Sequence, residues 1–286
     1  MESIMRGTIV IGMAATTESR SALDWALRRA ERDGDDVRAV YVADPSATGG
    51  HPLAVRADQD HGTLVLAREA FHAHEKAPHV AFATELRSGR PDEVLLQATR
   101  DARLLVVGAH SSVSTTEHWR RSPAVGLAAR ASCPVAVIPA ARPGRHGIVV
   151  GVDGSPEGDR GLSFAAQEAA ALGAPVTVVT CWRSADAWIP GFVADDTYRS
   201  EMDAAAQDVL DGALLSVRQT HPDLVAEGRI AHGETAPQLT AIAEDALELV
   251  VGTRGRHGVI ASLLGSTARE LLHRPRCPVV VVPPAR

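Results

Sequence analysis

Short runs of β-branched residues alternate along the chain with longer segments in which apolar and charged residues mix. In the second half, the run at 148–150 leads through a glycine turn to Ser155 and Pro156, which are typical of a helix N-cap and of the first helical position. The pattern continues with predicted strands near 176–181, 225–231, 248–252 and 279–282, and with predicted helices to Gly173 and near 201–218, 236–245 and 267–273. Five short strands separated by helices predict an α/β fold with a doubly wound parallel sheet.

The two halves of the chain repeat each other. The segment Cys133-Pro-Val-Ala-Val-Ile-Pro139 recurs as Cys277-Pro-Val-Val-Val-Val-Pro283, an offset of 144 residues, and Thr8-Ile-Val-Ile-Gly12 matches Gly147-Ile-Val-Val-Gly151. Such self-similarity indicates a tandem duplication, with one domain at 1–142 and a second at 147–286. The proline and glycine of the intervening stretch disfavour a regular element there.

Composition narrows the classes of partner. The 286 residues are 45% hydrophobic, which is enough for two cores. With 35 acidic against 29 basic residues the net charge is −6, so the chain lacks the positive field that attracts nucleic acid or an anionic membrane. The apolar runs are strand-sized and the first residues lack the order of a signal peptide, which predicts a soluble cytoplasmic protein. The widely spaced Cys133, Cys181 and Cys277 predict buried thiols rather than disulfides or a metal site.

The richest candidate chemistry follows the predicted strand at 248–252. Ligands of open α/β sheets bind beyond the carboxyl ends of the strands, and here the chain reads Gly252-Thr-Arg-Gly255 and then Gly265-Ser266-Thr267. Glycines let backbone N–H groups approach phosphate oxygens, and a hydroxyl at the start of a helix adds a donor where the helix dipole favours anions. Thr267 and Glu270 have the spacing of a capping box, which predicts that the helix begins at Thr267.

These residues carry a specific resemblance. Gly252, two residues, Gly255, nine residues and then Gly265-Ser266 match the ATP-binding signature of the universal stress protein family. Gly151-Val-Asp153-Gly-Ser155 resembles the first-strand motif of that family, whose aspartate contacts the nucleoside end of ATP. The resemblance covers both halves, and tandem members of the family are known. It implies adenine-nucleotide-binding, Rossmann-like domains.

The resemblance also implies a ligand and the residues that bind it. The ligand is ATP. Mg²⁺ could accompany the triphosphate beside Asp153, but the sequence identifies no residue that would bind the metal. The implied nucleotide-binding residues are Gly151, Val152, Asp153, Cys181, Val251, Gly252, Arg254, Gly255, Arg256, Gly265, Ser266 and Thr267. Cys181 stands where the family usually has valine, and its contact with adenine is made by the backbone. Arg254 and Arg256 could meet the β- and γ-phosphates or lie exposed in the loop, and the same choice applies to His257.

The first half departs from the signature at the positions that matter most. Ala14 stands in place of Asp153, and Ser111 and Arg121 stand in place of two loop glycines. Losing the carboxylate removes a polar anchor, and the added side chains fill the space where backbone should meet phosphate. We therefore expect a degenerate first domain that does not bind ATP, although Arg121 could instead pair with a phosphate or an acidic partner.

Other residue groups are weaker candidates. The aromatic residues of the segment after the second strand of the second domain either fold over the nucleotide as a lid or pack against their own domain or a partner: Trp182, Trp188, Phe192 and Tyr198. His72 and His74 do not share a helix face, so we expect solvated side chains rather than a metal site. The sequence contains neither a nucleophile elbow nor a lysine-bearing phosphate loop, and we assign no catalytic residue.

Two functions compete at this point. The first is an ATP-binding regulatory protein of stress adaptation, whose occupancy an unidentified protein partner reads. The second is a slow ATPase or nucleotidyl-transferring enzyme of the adenine-nucleotide hydrolase-like fold, for which a general base or metal cluster would be needed beside the loop. Family members dimerise through the last strand, so the resemblance also implies pairing of the two domains within the chain through the strands ending near Ile138 and Val282, and a possible homodimer.

Overall fold

The computed structural model describes residues 7–47, 49–109, 123–185, 193–255 and 264–285. The chain divides into two compact units, residues 1–141 and 142–286. Each unit alternates strands with helices along its sequence, and each contains one five-stranded sheet among the residues described.

The first unit forms a doubly wound parallel sheet. Its elements are β1 (Thr8–Met13), α1 (Thr17–Asp33), β2 (Asp36–Ala43), α2 (Pro52–Lys76), β3 (Phe82–Ser88), α3 (Pro91–Ala98), β4 (Leu104–Gly108), α4 (Pro123–Arg130) and β5 (Val135–Ile138). The strand order is β3-β2-β1-β4-β5, and each neighbouring pair is parallel. The helices α1 and α2 cover one face of the sheet, and α3 and α4 cover the other.

The second unit repeats this topology. Its elements are β6 (Ile148–Val152), α5 (Pro156–Leu172), β7 (Val176–Trp182), α6 (Asp196–Thr220), β8 (Ala226–His232), α7 (Thr235–Ile242), β9 (Glu248–Gly252), α8 (Ser266–His273) and β10 (Val279–Val282). The order is β8-β7-β6-β9-β10, again parallel at each pair. The predicted α/β fold with two tandem five-stranded parallel sheets is confirmed.

Local signals explain three helix limits in the second unit. Ser155 caps α5 through its side chain, which accepts the N–H of Gly158 at 3.1 Å, and Gly173 ends the helix with φ of 60°. The helix α6 begins five residues before the predicted start at 201, because the side chain of Asp195 accepts the N–H of Tyr198 at 2.8 Å and caps it there.

Strands β9 and β10 bury both of their faces. All four residues of β10 are buried, and so are residues 248–251 of β9, as expected for parallel strands with helices on both sides. Because β6 pairs with β7 on one side and with β9 on the other, the chain reverses direction across the sheet between β6 and β9. This is the topological switch point, where ligand sites of such folds lie.

Candidate functional site

Two loops leave the sheet at the switch point of the second unit. One follows Val152 at the end of β6 and the other follows Gly252 at the end of β9, and these strands are parallel neighbours paired through Val150 and Val250. The predicted residues at the strand ends therefore share one edge of the sheet. A Cβ placed on Gly151 would lie 3.5 Å from the Cγ1 of Val251, which shows how closely the two strand ends approach.

Asp153 lies between the two loops. Its Oδ1 accepts a hydrogen bond from the N–H of Ser155 at 3.1 Å and another from the Ser155 hydroxyl at 2.6 Å. This is a local Asx-type arrangement at the start of α5. The other oxygen, Oδ2, approaches Gly255 so closely that a Cβ on Gly255 would overlap it. The structure thus brings together the carboxylate and the loop glycine that the sequence singled out.

Two of the motif glycines are packed closely against other elements of the fold. A Cβ on Gly252 would lie 2.6 Å from the backbone oxygen of Glu157, so β9 and the first turn of α5 approach each other backbone to backbone. A Cβ on Gly151 would lie 2.9 Å from a methyl group of Leu239 in α7. The first unit has the same close approach at Gly108 against Glu18, at 2.7 Å. These positions therefore reflect packing of the fold, whereas Gly255 borders the space between the two loops.

The helix α8 begins with its N-terminus beside the same loop. Gly265 occupies the N-cap position with no side-chain cap, and its N–H donates to the carbonyl of Thr253 at 2.7 Å. The predicted capping box is wrong, because the helix starts at Ser266 once the backbone of Gly265 is held by Thr253, which leaves Thr267 inside the first turn. First-turn N–H groups have no intrahelical acceptor, so an uncapped N-terminus suits an anion.

The arginines of the loop are only partly described. Nη2 of Arg254 lies 3.8 Å from Oε1 of Glu157. Arg256 and His257 lie outside the described ranges, and so do Ser111 and Arg121 of the first unit. Two of the residues expected at the phosphates, Ser266 and Thr267, are placed at the start of α8, next to Gly265.

Cys181 lies on β7, one residue beyond the register pair of Val152 and Thr180. Its backbone is therefore at the carboxyl edge of the sheet, next to the Asp153 loop. The thiol is only half-buried, unlike those of Cys133 and Cys277, because it lies near the open end of the sheet, and this corrects the expectation of three buried thiols. Burial raises the pKa of the Cys181 thiol to about 11.

A polar cluster next to Cys181 was missed by the sequence analysis. The indole N–H of Trp182 donates to Oδ1 of Asp203 at 2.8 Å, and Nε2 of His232 lies 2.8 Å from the same oxygen. Hydrogen bonds from Trp182 and then from His232 hold the pKa of Asp203 below its usual range. Tyr198 meets Trp182 edge-on with ring centroids 6.5 Å apart. The described part of the aromatic segment packs on its own domain, while Trp188 and Phe192 are not among the described residues.

The region that the Asp153 carboxylate occupies in the second unit is filled differently in the first. Gly158 of the second unit leaves room for Asp153, since a Cβ on Gly158 would lie 3.1 Å from Oδ1. The corresponding residue of the first unit is Ser19, whose hydroxyl accepts the N–H of Ala14 at 2.9 Å. A serine side chain thus occupies the region of the missing carboxylate. Of the two residues that differ beside the aspartate position, Ala14 was identified from the sequence but Ser19 was not.

Metal and membrane features were searched over the described residues. Within those ranges no group of three or more His, Cys, Asp or Glu side chains is placed to hold a metal ion. No described helix is both long enough and apolar enough to cross a membrane. The expectation of solvated histidines needs a correction for His72, because its Nε2 lies 2.6 Å from Oδ1 of Asp24 and the ring bridges α2 to α1.

Fold and loop geometry define the class of protein as a tandem pair of Rossmann-like α/β domains. The sequence model of the family described as "Universal stress protein family" matches residues 5–139 and 144–283 of this chain. This chain therefore belongs to the universal stress protein family.

Relatives match along almost the full length. One universal stress protein of Mycobacterium tuberculosis is 26% identical over 290 residues, which cover 96% of this chain and 96% of the relative. A second from the same species is 27% identical over 296 residues, covering 96% and 95%. Among solved structures, a universal stress protein from Archaeoglobus fulgidus aligns with a TM-score of 0.74 at 16% identity, over 99% of this chain and 98% of that one, and supports the fold.

Proposed function

We propose that the second domain binds one ATP per chain and that the protein acts as a regulatory binder in stress adaptation. The observation that carries this proposal is the meeting of Asp153, Gly255 and the uncapped N-terminus of α8 at the switch point. A carboxylate suits the hydroxyls at the nucleoside end, and a glycine loop before a helix N-terminus suits phosphates.

In this proposal the nucleotide spans the two loops. The β6 loop and the backbone of Cys181 bind the nucleoside, while the β9 loop and the first turn of α8 bind the phosphates. The full proposed set is Gly151, Val152, Asp153, Cys181, Val251, Gly252, Arg254, Gly255, Arg256, Gly265, Ser266 and Thr267. Mg²⁺ would accompany the triphosphate and screen its charge from Asp153.

The first domain is proposed not to bind ATP. Ala14 replaces the carboxylate, and Ser19 fills the room that Gly158 leaves beside it. One intact and one degenerate copy suit a switch that is read by another protein, since the degenerate copy keeps the fold without competing for ligand. The cytoplasm as location, a homodimer and an unidentified protein partner are part of the same proposal.

Isothermal titration of the purified full chain with ATP tests the proposal. We expect one site per chain, and loss of binding in Asp153→Ala. Asp195→Ala is the matched control, because the carboxylate of Asp195 likewise accepts a backbone N–H at the start of a helix, but at the N-cap of α6. Two equivalent sites, or equal binding by Asp153→Ala and the control, would overturn the assignment. Mass spectrometry of nucleotide released by acid from natively purified protein gives an independent count.

A further inference from the structure

Three polar atoms around the glycine loop of the second unit are buried without a hydrogen-bond partner. They are the hydroxyl of Thr253 and the Nε atoms of Arg160 and Arg254. Thr253 is only 2% exposed, although both of its backbone groups are paired. Buried donors are nearly always satisfied in folded proteins, so a cluster of unsatisfied donors beside one loop points to a ligand with several acceptor oxygens.

The two arginines share a single carboxylate. Nη2 of Arg160 lies 3.4 Å from Oε1 of Glu157, and Nη2 of Arg254 lies 3.8 Å from the same oxygen. Charge-assisted hydrogen bonds are normally about 2.7–2.9 Å long, so both ion pairs are loose. Two positive charges against one negative charge leave the trio with one unbalanced cation, which favours an incoming anion.

The trio lies against the loop that the proposed function assigns to phosphates. Glu157 is in the first turn of α5, and its backbone oxygen is the atom that a Cβ on Gly252 would meet. Arg254 is inside the loop itself, between Gly252 and Gly255. The two guanidinium groups that share Glu157 are therefore at the β9 end of the site.

The first unit keeps the carboxylate but lacks both arginines. Glu18 corresponds to Glu157, while Ser21 and His110 stand where the second unit has Arg160 and Arg254. The hydroxyl of Ser21 donates to the carbonyl of Thr17 at 3.1 Å, as a local helix contact. Fold maintenance therefore does not demand the arginine pair, which is present only in the copy with the intact glycine loop.

We propose that Arg160, Arg254 and Thr253 bind the terminal phosphates of a nucleoside triphosphate, and that Glu157 holds the arginines until the ligand arrives. This inference rests on the proposed function and specifies its ligand class as triphosphates in preference to monophosphates. On binding, the guanidinium of Arg254 leaves Glu157 for a phosphate oxygen, and the hydroxyl of Thr253 gains an acceptor. No covalent bond changes in this step.

The test is calorimetric titration of the full chain with ATP, ADP and AMP. Arg254→Gln and Arg160→Gln should each weaken ATP binding by about 10-fold or more, since a hydrogen bond to a charged group is lost, and should change AMP binding by less than about threefold. Arg183→Gln is the matched control, because Arg183 is an exposed arginine that pairs with Glu234 at 3.1 Å. Thermal unfolding without nucleotide confirms that each variant is folded.

The outcomes separate this inference from the function on which it rests. If the parent binds ATP and AMP alike, or if Arg254→Gln weakens both equally, the phosphate-tail role is wrong while nucleotide binding stands. If the parent binds no adenine nucleotide, both the phosphate-tail role and the proposed nucleotide binding are wrong. Glu157→Gln should tighten ATP binding several-fold without Mg²⁺ by releasing the arginines. Weaker ATP binding in Glu157→Gln would overturn its role as their counter-ion.

Discussion

Gly255→Ala tests the geometry of the proposed site with the smallest possible change. A methyl group on Gly255 would overlap Oδ2 of Asp153, and the carboxylate must move to admit it. Gly255 has no positive φ, so alanine adds no backbone strain. The obstacle is the end of a side chain rather than backbone, and we expect the domain to remain folded.

The magnitude follows from the bonds that hold Asp153. Its Oδ1 accepts two hydrogen bonds from Ser155, at 2.6 and 3.1 Å, and a displaced carboxylate weakens both. Each hydrogen bond typically contributes about 1 kcal/mol net, so returning Asp153 to its binding position in the variant should cost a free energy of about 1–2 kcal/mol. This corresponds to about a 5- to 30-fold weaker ATP affinity, before any loss of backbone contact at the methyl group itself.

The assay compares Gly255→Ala with Gly212→Ala by titration calorimetry and by thermal unfolding. A Cβ on Gly212, in α6, meets nothing within 4 Å, so this substitution changes only helix propensity and should stabilise the protein slightly. Unchanged ATP affinity in Gly255→Ala would refute the reasoning. A fall in its unfolding temperature without nucleotide, at unchanged affinity per folded molecule, would show that Gly255 serves the fold instead.

Three further predictions concern the same domain. Gly265→Arg should abolish ATP binding without unfolding the protein, because the first domain carries arginine at that position, and calorimetry with circular dichroism checks it. Gly252→Ala should lower the free energy of unfolding by about 1–3 kcal/mol in urea titrations, since its Cβ would lie 2.6 Å from the backbone oxygen of Glu157. The folded protein holds the pKa of Asp203 below the value of about 3.9 that aspartate has in an unfolded chain. The stability that its hydrogen bonds contribute is therefore fully present above that unfolded pKa and is lost as the pH falls through the pKa of the folded state. In a variant whose other three tryptophans are replaced by phenylalanine, the fluorescence of Trp182 should therefore change below about pH 4, and it should not change when Asp203→Asn is added.

Sequence reasoning succeeded where the determining contacts are local. Strand runs, the Ser155 cap and the terminating Gly173 are set by residues within one or two turns of each other, and their predicted positions agree with the structure. The start of α6 was predicted too late because the cap at Asp195 precedes the apolar pattern. At α8 a local capping signal failed, since the distant carbonyl of Thr253 fixes Gly265 instead.

The repeat and the glycine spacing, both legible in the chain itself, determined the duplicated α/β fold and the loops that could bind a nucleotide. Tertiary structure alone decided which side chains face those loops. Glu157 meets Arg254 because the first turn of α5 lies beside the loop that follows β9. Asp203 of α6 meets Trp182 and His232 because those two residues are paired at the ends of the neighbouring strands β7 and β8. Charge balance beside the site depends on such contacts between residues far apart in sequence, and no local pattern encodes them.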